Sequence, residues 1–193
     1  MTRNEEATQK TTSTLLEIAR KHFSEYGYTS VSIEKIAKEG NVTRGAVYHH
    51  FKNKKGLFLA VLNAVQQDVA IHIELEAMKS NDMWEQLILG CVGFVKGTNA
   101  EDCRRILLVD APAAVGWEVW RKTDQENSMN ILHAHIQELK TKDYLENDVD
   151  TNLMTYSISG ALNELALQYM TTKYDQILYI TIARMIDGFR KKP

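Results

Sequence analysis

Apolar residues recur at every third or fourth position along most of the chain. Nowhere do they alternate with a period of two, so the pattern predicts helices and no sheet. Leu15, Ile18, Ala19 and Phe23 form one face of a helix predicted over residues 11–26, after a polar stretch (1–9) expected to fray. Gly27 stands where a glycine ends a helix. Ser32 suits the cap of the next helix, with Glu34 in its first turn and Ile33, Ile36 and Ala37 facing inward. Gly40 and Asn41 both tolerate the backbone of a sharp turn. Thr43 caps a third helix over 44–51, with Val47 and Phe51 one turn apart on its inner side. Asn53 is placed to cap a long fourth helix over 54–78, whose stripe begins with Leu57, Phe58, Val61, Leu62 and Val65. Five more helices are predicted over 83–97, 101–110, 116–141, 150–171 and 174–191. Pro112 and Gly116 mark the break after the sixth.

Composition agrees with an all-α fold, because only two prolines and ten glycines occur in 193 residues. The net charge of −2 hides an asymmetry: residues 1–55 hold ten Lys/Arg against six Asp/Glu, whereas residues 56–193 hold thirteen against nineteen. A basic end on an acidic body suits a chain that meets phosphates at one end only. Cys91 and Cys103 lack metal-ligand spacing and imply reduced thiols. The polar N-terminus does not read as a secretion signal, and the longest apolar run, Leu87 to Val95, is too short to span a bilayer. The expectation is a cytoplasmic protein without membrane contact.

Residues 32–55 carry the chemistry. Two short helices joined by a tight turn, the second polar, aromatic and basic on one side, suit the major groove of DNA. Arg44 offers a planar fork matching the acceptors of guanine. Gly45 and Ala46 allow close approach to the bases, and Thr43, Tyr48, His49 and His50 can donate to phosphate or base edges. Phe23, Gly27 and Tyr28, then Ile36-Ala37, Val42-Thr43-Arg44-Gly45, Tyr48-His49-His50-Phe51, Lys52-Asn53-Lys54 and Leu57-Phe58 resemble, as a set, the DNA-binding domain of the tetracycline-repressor (TetR) family over about residues 8–60. One departure is Asn41, where the family usually places glycine. The resemblance implies phosphate contacts from Tyr48 and Lys54. With Ser32 it completes the expected DNA-facing set of Ser32, Thr43, Arg44, Gly45, Ala46, Tyr48, His49, His50 and Lys54. It implies two domains: an N-terminal three-helix helix-turn-helix DNA-binding domain (1–53) and a C-terminal helical domain (54–193) for effector binding and dimerisation.

The expected partners are therefore a palindromic operator in double-stranded DNA, a second copy of the chain and a small-molecule effector that releases the DNA. The expected dimer seam is the last two helices. There Ser157, Gly160 and Ala161 form a flat patch, and Ile177, Ile180, Ile182, Met185, Ile186 and Phe189 make a helix apolar on more than one side. Bulky residues in the body, Tyr169 and Met170 among them, are candidates to wall a cavity. Phe94, Asp110, Trp117, Trp120, His133, Tyr156 and Asn163 are the expected ligand contacts. His133 and His135 are two apart on a helix and cannot share an ion, and no metal or other cofactor motif occurs. Two other readings remain open from sequence: an effector-independent DNA-binding dimer, and an all-α enzyme using Asp110 and Glu118.

Overall fold

Side-chain caps set the helix starts. The Ser32 hydroxyl accepts the Lys35 N–H at 3.3 Å, and the Thr43 hydroxyl accepts the Ala46 N–H at 3.2 Å. The Asn53 side chain accepts the Gly56 N–H at 2.9 Å, as its capping position predicts. The computed structural model describes residues 3–99, 103–168 and 175–192. Ten α-helices lie among them: α1 (Arg3–Ser30), α2 (Ile33–Glu39), α3 (Arg44–Phe51), α4 (Lys54–Ala77), α5 (Met83–Asn99), α6 (Ala111–Val115), α7 (Trp117–Asp124), α8 (Asn130–Thr141), α9 (Thr151–Gln168) and α10 (Asp175–Asp187). A π-helical segment, Arg105–Asp110, leads into α6, and a second, Gln125–Met129, joins α7 to α8. Among the described residues the only extended pairing is one antiparallel bridge, Leu145 with Arg190.

Several boundaries differ from the sequence expectation, each for a physical reason. The polar start is helical from Arg3 onward, with Glu5 and Glu6 in the first turn, where acidic side chains complement the helix dipole. Pro112 does not break the chain. It occupies the first turn of α6, where a missing N–H costs nothing, and the break falls at Gly116 alone (φ 91°). The helix expected over 116–141 is interrupted at Asn127 (φ −121°, ψ −107°), inside the second π segment. The sharp turn rests on Asn41, which takes the left-handed conformation (φ 57°) expected of the family's glycine, while Gly40 does not. Tyr169 and Met170 lie outside the described residues, as do the start of the helix expected over 101–110, the end of that over 150–171 and the start of that over 174–191.

The chain divides into two compact units: residues 1–65 with 101–120, and residues 66–100 with 121–193. In the first, Phe23 and Phe58 meet edge to face at 5.0 Å, and Tyr28 completes the cluster at 4.9 Å from Phe58. Leu15, Ile36, Val61 and Leu62 are fully buried around it. The first π segment is stitched to the end of α1. Arg105 Nη1 donates to the carbonyls of Ser24 (3.3 Å) and Glu25 (3.0 Å), and Asp110 Oδ2 accepts the Tyr28 N–H at 2.8 Å. Gly27 sits between these contacts with φ 77°, and a Cβ there would strike the Arg105 guanidinium.

The second unit centres on α5, packed on α9 and α10, with Ile136, Leu139, Met154 and Ile182 at or near zero exposure. Trp84 Nε1 donates to Asp187 at 2.9 Å, and the Arg190 guanidinium lies 5.2 Å from the Trp84 ring. Gly93 and Gly97 let α5 pass close to α4, since added Cβ atoms would come within 2.8 Å of the His72 carbonyl and 2.7 Å of its Cβ. Among the described residues one helix, Lys54–Ala77, is long and apolar enough by length and composition to cross a membrane. Leu57, Phe58, Val61, Leu62, Val65 and Val69 of this helix are fully buried against protein, whereas Ile71 and Leu75 near its end are exposed.

Candidate nucleic-acid interface

Two inward side chains hold α3 in place. Val47 (1 % exposed) and Phe51 (8 %) are buried, which turns Thr43, Arg44, Gly45 and His49 to the surface. A Cβ added to Gly45 would meet only the Thr43 hydroxyl, so this stretch of helix is open to close approach. Ala46, Tyr48 and His50 are half-buried on its flanks, and the His50 Nδ1 lies 3.4 Å from the Thr12 hydroxyl of α1. The Ser32 and Thr43 hydroxyls already accept backbone N–H groups as caps.

Arg44 is the central cation of this surface and is not free. Its Nη1 lies 2.9 Å from Glu34 of α2, its Nη2 donates to the Tyr48 hydroxyl at 3.0 Å, and its guanidinium stands 5.1 Å from the Tyr48 ring. The bond to Tyr48, helped by Glu34, raises its already high pKa. Lys54 is engaged too. Its Nζ donates to the Thr29 carbonyl at 3.0 Å and sits 4.7 Å from the Tyr28 ring, and partial burial lowers its pKa. Lys55 donates to the Val115 carbonyl at 3.1 Å. The acidic partner of Arg44, Glu34, belongs to α2; the sequence marks it only as a residue favouring the helix dipole, although α2 and α3 abut through the turn at Asn41.

The residues expected to contact a ligand do not gather in one place. Asp110, Trp117 and Trp120 belong to the first unit, where Asp110 serves the Tyr28 N–H and Trp120 Nε1 donates to the Leu107 carbonyl at 2.9 Å. In the second unit His133 joins α8 to α9: its Nδ1 lies 3.1 Å from the Thr155 hydroxyl, and Gln137 Nε2 lies 3.3 Å from its Nε2. Tyr156 is exposed, with the Arg121 guanidinium 5.8 Å from its ring, and Asn163 is half-buried on α9. Phe94 does line a cavity of about 80 Å³ within the second unit, with Ile73, Leu87, Met129 and Leu162 among its apolar walls. Its polar lining includes Asp124, Ser128 and Ser159, none anticipated from sequence. A signal for two of them existed. Trp117, Trp120, Asp124, Ser128, Ile131 and His135 follow one another at spacings of three and four, a single helical stripe into which two polar residues are set.

Asp124 is 5 % exposed and bonds Arg121 Nη1 at 3.1 Å, yet burial outweighs that partner and pushes its carboxyl up to about 6. Burial likewise pushes the thiol of Cys91, on the cavity wall, up to about 12, so it stays protonated and inert.

Comparison with known proteins gives this arrangement its context. Residues 15–61 match the bacterial regulatory proteins of the tetR family, and residues 84–188 match the tetracyclin repressor-like C-terminal domain. The HTH-type transcriptional regulator AcrR of Shigella flexneri is 33% identical over 101 residues, which are 52% of this chain and 47% of that protein. The chain thus spans about half the length of that relative. The transposon-encoded TetC protein of Escherichia coli is 28% identical over 179 residues, 89% of each chain. A TetR-family transcriptional regulator from Pectobacterium atrosepticum superposes with a TM-score of 0.73 at 28% identity, covering 100% of both chains. The family is one of transcriptional regulators and not of enzymes, which removes the reading of Asp110 and Glu118 as a catalytic pair. Glu118 is exposed and Asp110 is occupied by the Tyr28 N–H, in keeping with that. With both its reading helices and its body matched, this chain belongs to the TetR family of DNA-binding transcriptional regulators.

Proposed function

We propose that this chain is a cytoplasmic repressor that grips a palindromic operator as a homodimer and lets go when a small molecule fills the second unit's cavity. The observation that carries the DNA-reading part is the surface of α3, where Val47 and Phe51 turn inward and leave Thr43, Arg44, Gly45 and His49 outward. In this reading Arg44 reads a base edge, and Thr43, Tyr48, His49, His50 and Lys54 hold the flanking phosphates, with Ser32 at the start of α2. Two heads about one helical turn apart, roughly 34–36 Å, match two half-sites.

A dimer seam on the last two helices is supported by apolar side chains that the single chain leaves outside. Leu153, Tyr156, Ile177 and Ile180 are exposed on α9 and α10, and a Cβ on Gly160 would meet nothing within 4 Å. The cavity favours an effector over a body that serves only as a spacer, because a filled interior needs no such space. An effector acts only through its preference for the released state over the DNA-bound one.

Fluorescence anisotropy of a labelled palindrome from the flanking promoter, at stated salt, tests the reading. Tight binding with a steep salt dependence and discrimination against scrambled DNA is expected. Binding indifferent to sequence refutes it.

A further inference from the structure

The cavity of the second unit has a polar corner. Its walls are Ile73, Leu87, Phe94, Met129 and Leu162, all buried or nearly so. Asp124 and Ser128 line it from the α7–α8 side and Ser159 from α9. Both serines are more than nine-tenths buried as residues, and none of the hydrogen bonds among the described residues uses either hydroxyl, so both can bond a molecule in the cavity. Asp124 spends Oδ2 on Arg121, while Oδ1 has no partner among the described residues. Gln86 and His135 also line the space, but each is engaged, Gln86 Nε2 donating to the Ser80 carbonyl at 2.9 Å and His135 Nε2 lying 2.8 Å from the Met83 carbonyl, so Asp124, Ser128 and Ser159 are the groups left to bond a ligand.

Charge narrows the class. An anionic ligand would face the Asp124 carboxylate in a low-dielectric space, while His135, the other ionisable group on the wall, is turned to the Met83 carbonyl. A cationic one would add a third charge to an Asp124–Arg121 pair that is already balanced. A neutral hydroxyl donates to the carboxylate and accepts from a serine, and so satisfies both without bringing a charge inside. About 80 Å³ is several times the ~10–15 Å³ one water needs, which suits a molecule of one ring.

Resting on the reading that this cavity receives the effector, we propose that the ligand is a small uncharged molecule with an apolar ring and a hydroxyl group, held by Asp124, Ser128 and Ser159. Four matched probes test it on the full chain by ligand-observed saturation-transfer NMR and thermal unfolding: benzyl alcohol, toluene, benzoate and benzylamine. Benzyl alcohol is expected to bind best. Ser128→Ala or Ser159→Ala should weaken it by about tenfold and leave toluene unchanged. Ala77→Phe, which fills the cavity, should abolish binding of both. Toluene binding as well as benzyl alcohol, with neutral serine variants, overturns the hydroxyl requirement. Preference for benzoate or benzylamine overturns the uncharged class. In both cases the cavity remains a ligand site. Binding that survives in a folded Ala77→Phe variant, or no response to any of the four probes, overturns the cavity as the effector site.

Discussion

At the scale of single residues, the reading surface is governed by a competition. Arg44 stands between Glu34 and Tyr48, and in the proposed reading a guanine edge has to replace the carboxylate. Arg44→Ala is expected to weaken operator binding roughly tenfold or more and to blur preference at one base position, read by selection from a random DNA pool. Lys54, bonded to the Thr29 carbonyl, is proposed to hold phosphate and so to carry no base preference. Its removal should weaken all sequences alike and flatten the salt dependence of affinity. Asp124 gives a pH signature of its own. Because burial raises its carboxyl to about 6 from 3.8, ionisation costs more folded than unfolded. That penalty is present at pH 7 and relieved as pH falls through about 6. The chain should therefore gain about 1 kcal/mol from this group between pH 7 and 5. Denaturant midpoints of wild type and Asp124→Asn across that range isolate it, since the rest of the chain is common to both. Arg44 was legible in sequence because a helix-turn-helix frame tells which face is outward. Asp124 was not, because burial of a carboxylate depends on neighbours from α5 and α9 that no local pattern specifies.

Element by element, the sequence pattern holds best where side chains cap or stripe a helix and least where backbone geometry departs from 3.6 residues per turn. Ser32, Thr43 and Asn53 start helices as their chemistry predicts. The two π segments are invisible to that logic, since an extra residue in a turn leaves apolar spacing almost unchanged. Gly27 is the exception that sequence does mark. Gly27→Ala puts a side chain at φ 77° and against Arg105, and should cost about 1–3 kcal/mol in the urea midpoint of the intact chain. Gly160 is the converse case, with open space around it. Gly160→Glu should leave the protomer folded and helical while sedimentation velocity shows the dimer shifted toward monomer, if the seam lies on α9 and α10.

Across the whole molecule, the first compact unit is assembled from two separate stretches of the chain. In sequence the basic N-terminal end closes at residue 55 and the family resemblance at about residue 60. In space, the first unit extends to residue 65 and takes in residues 101–120 as well. Sequence reading cannot anticipate this, because Arg105 and Asp110 look like ordinary charges on an amphipathic helix until the end of α1 is placed beside them. Arg105 and Asp110 thus act as a splint, contributed from the middle of the chain, across the break that Gly27 makes. A hybrid regulator made by grafting residues 1–53 onto a foreign body would inherit the fracture without the splint. Its grip on DNA would then depend on whether the new body happens to offer an arginine and an aspartate in the same places.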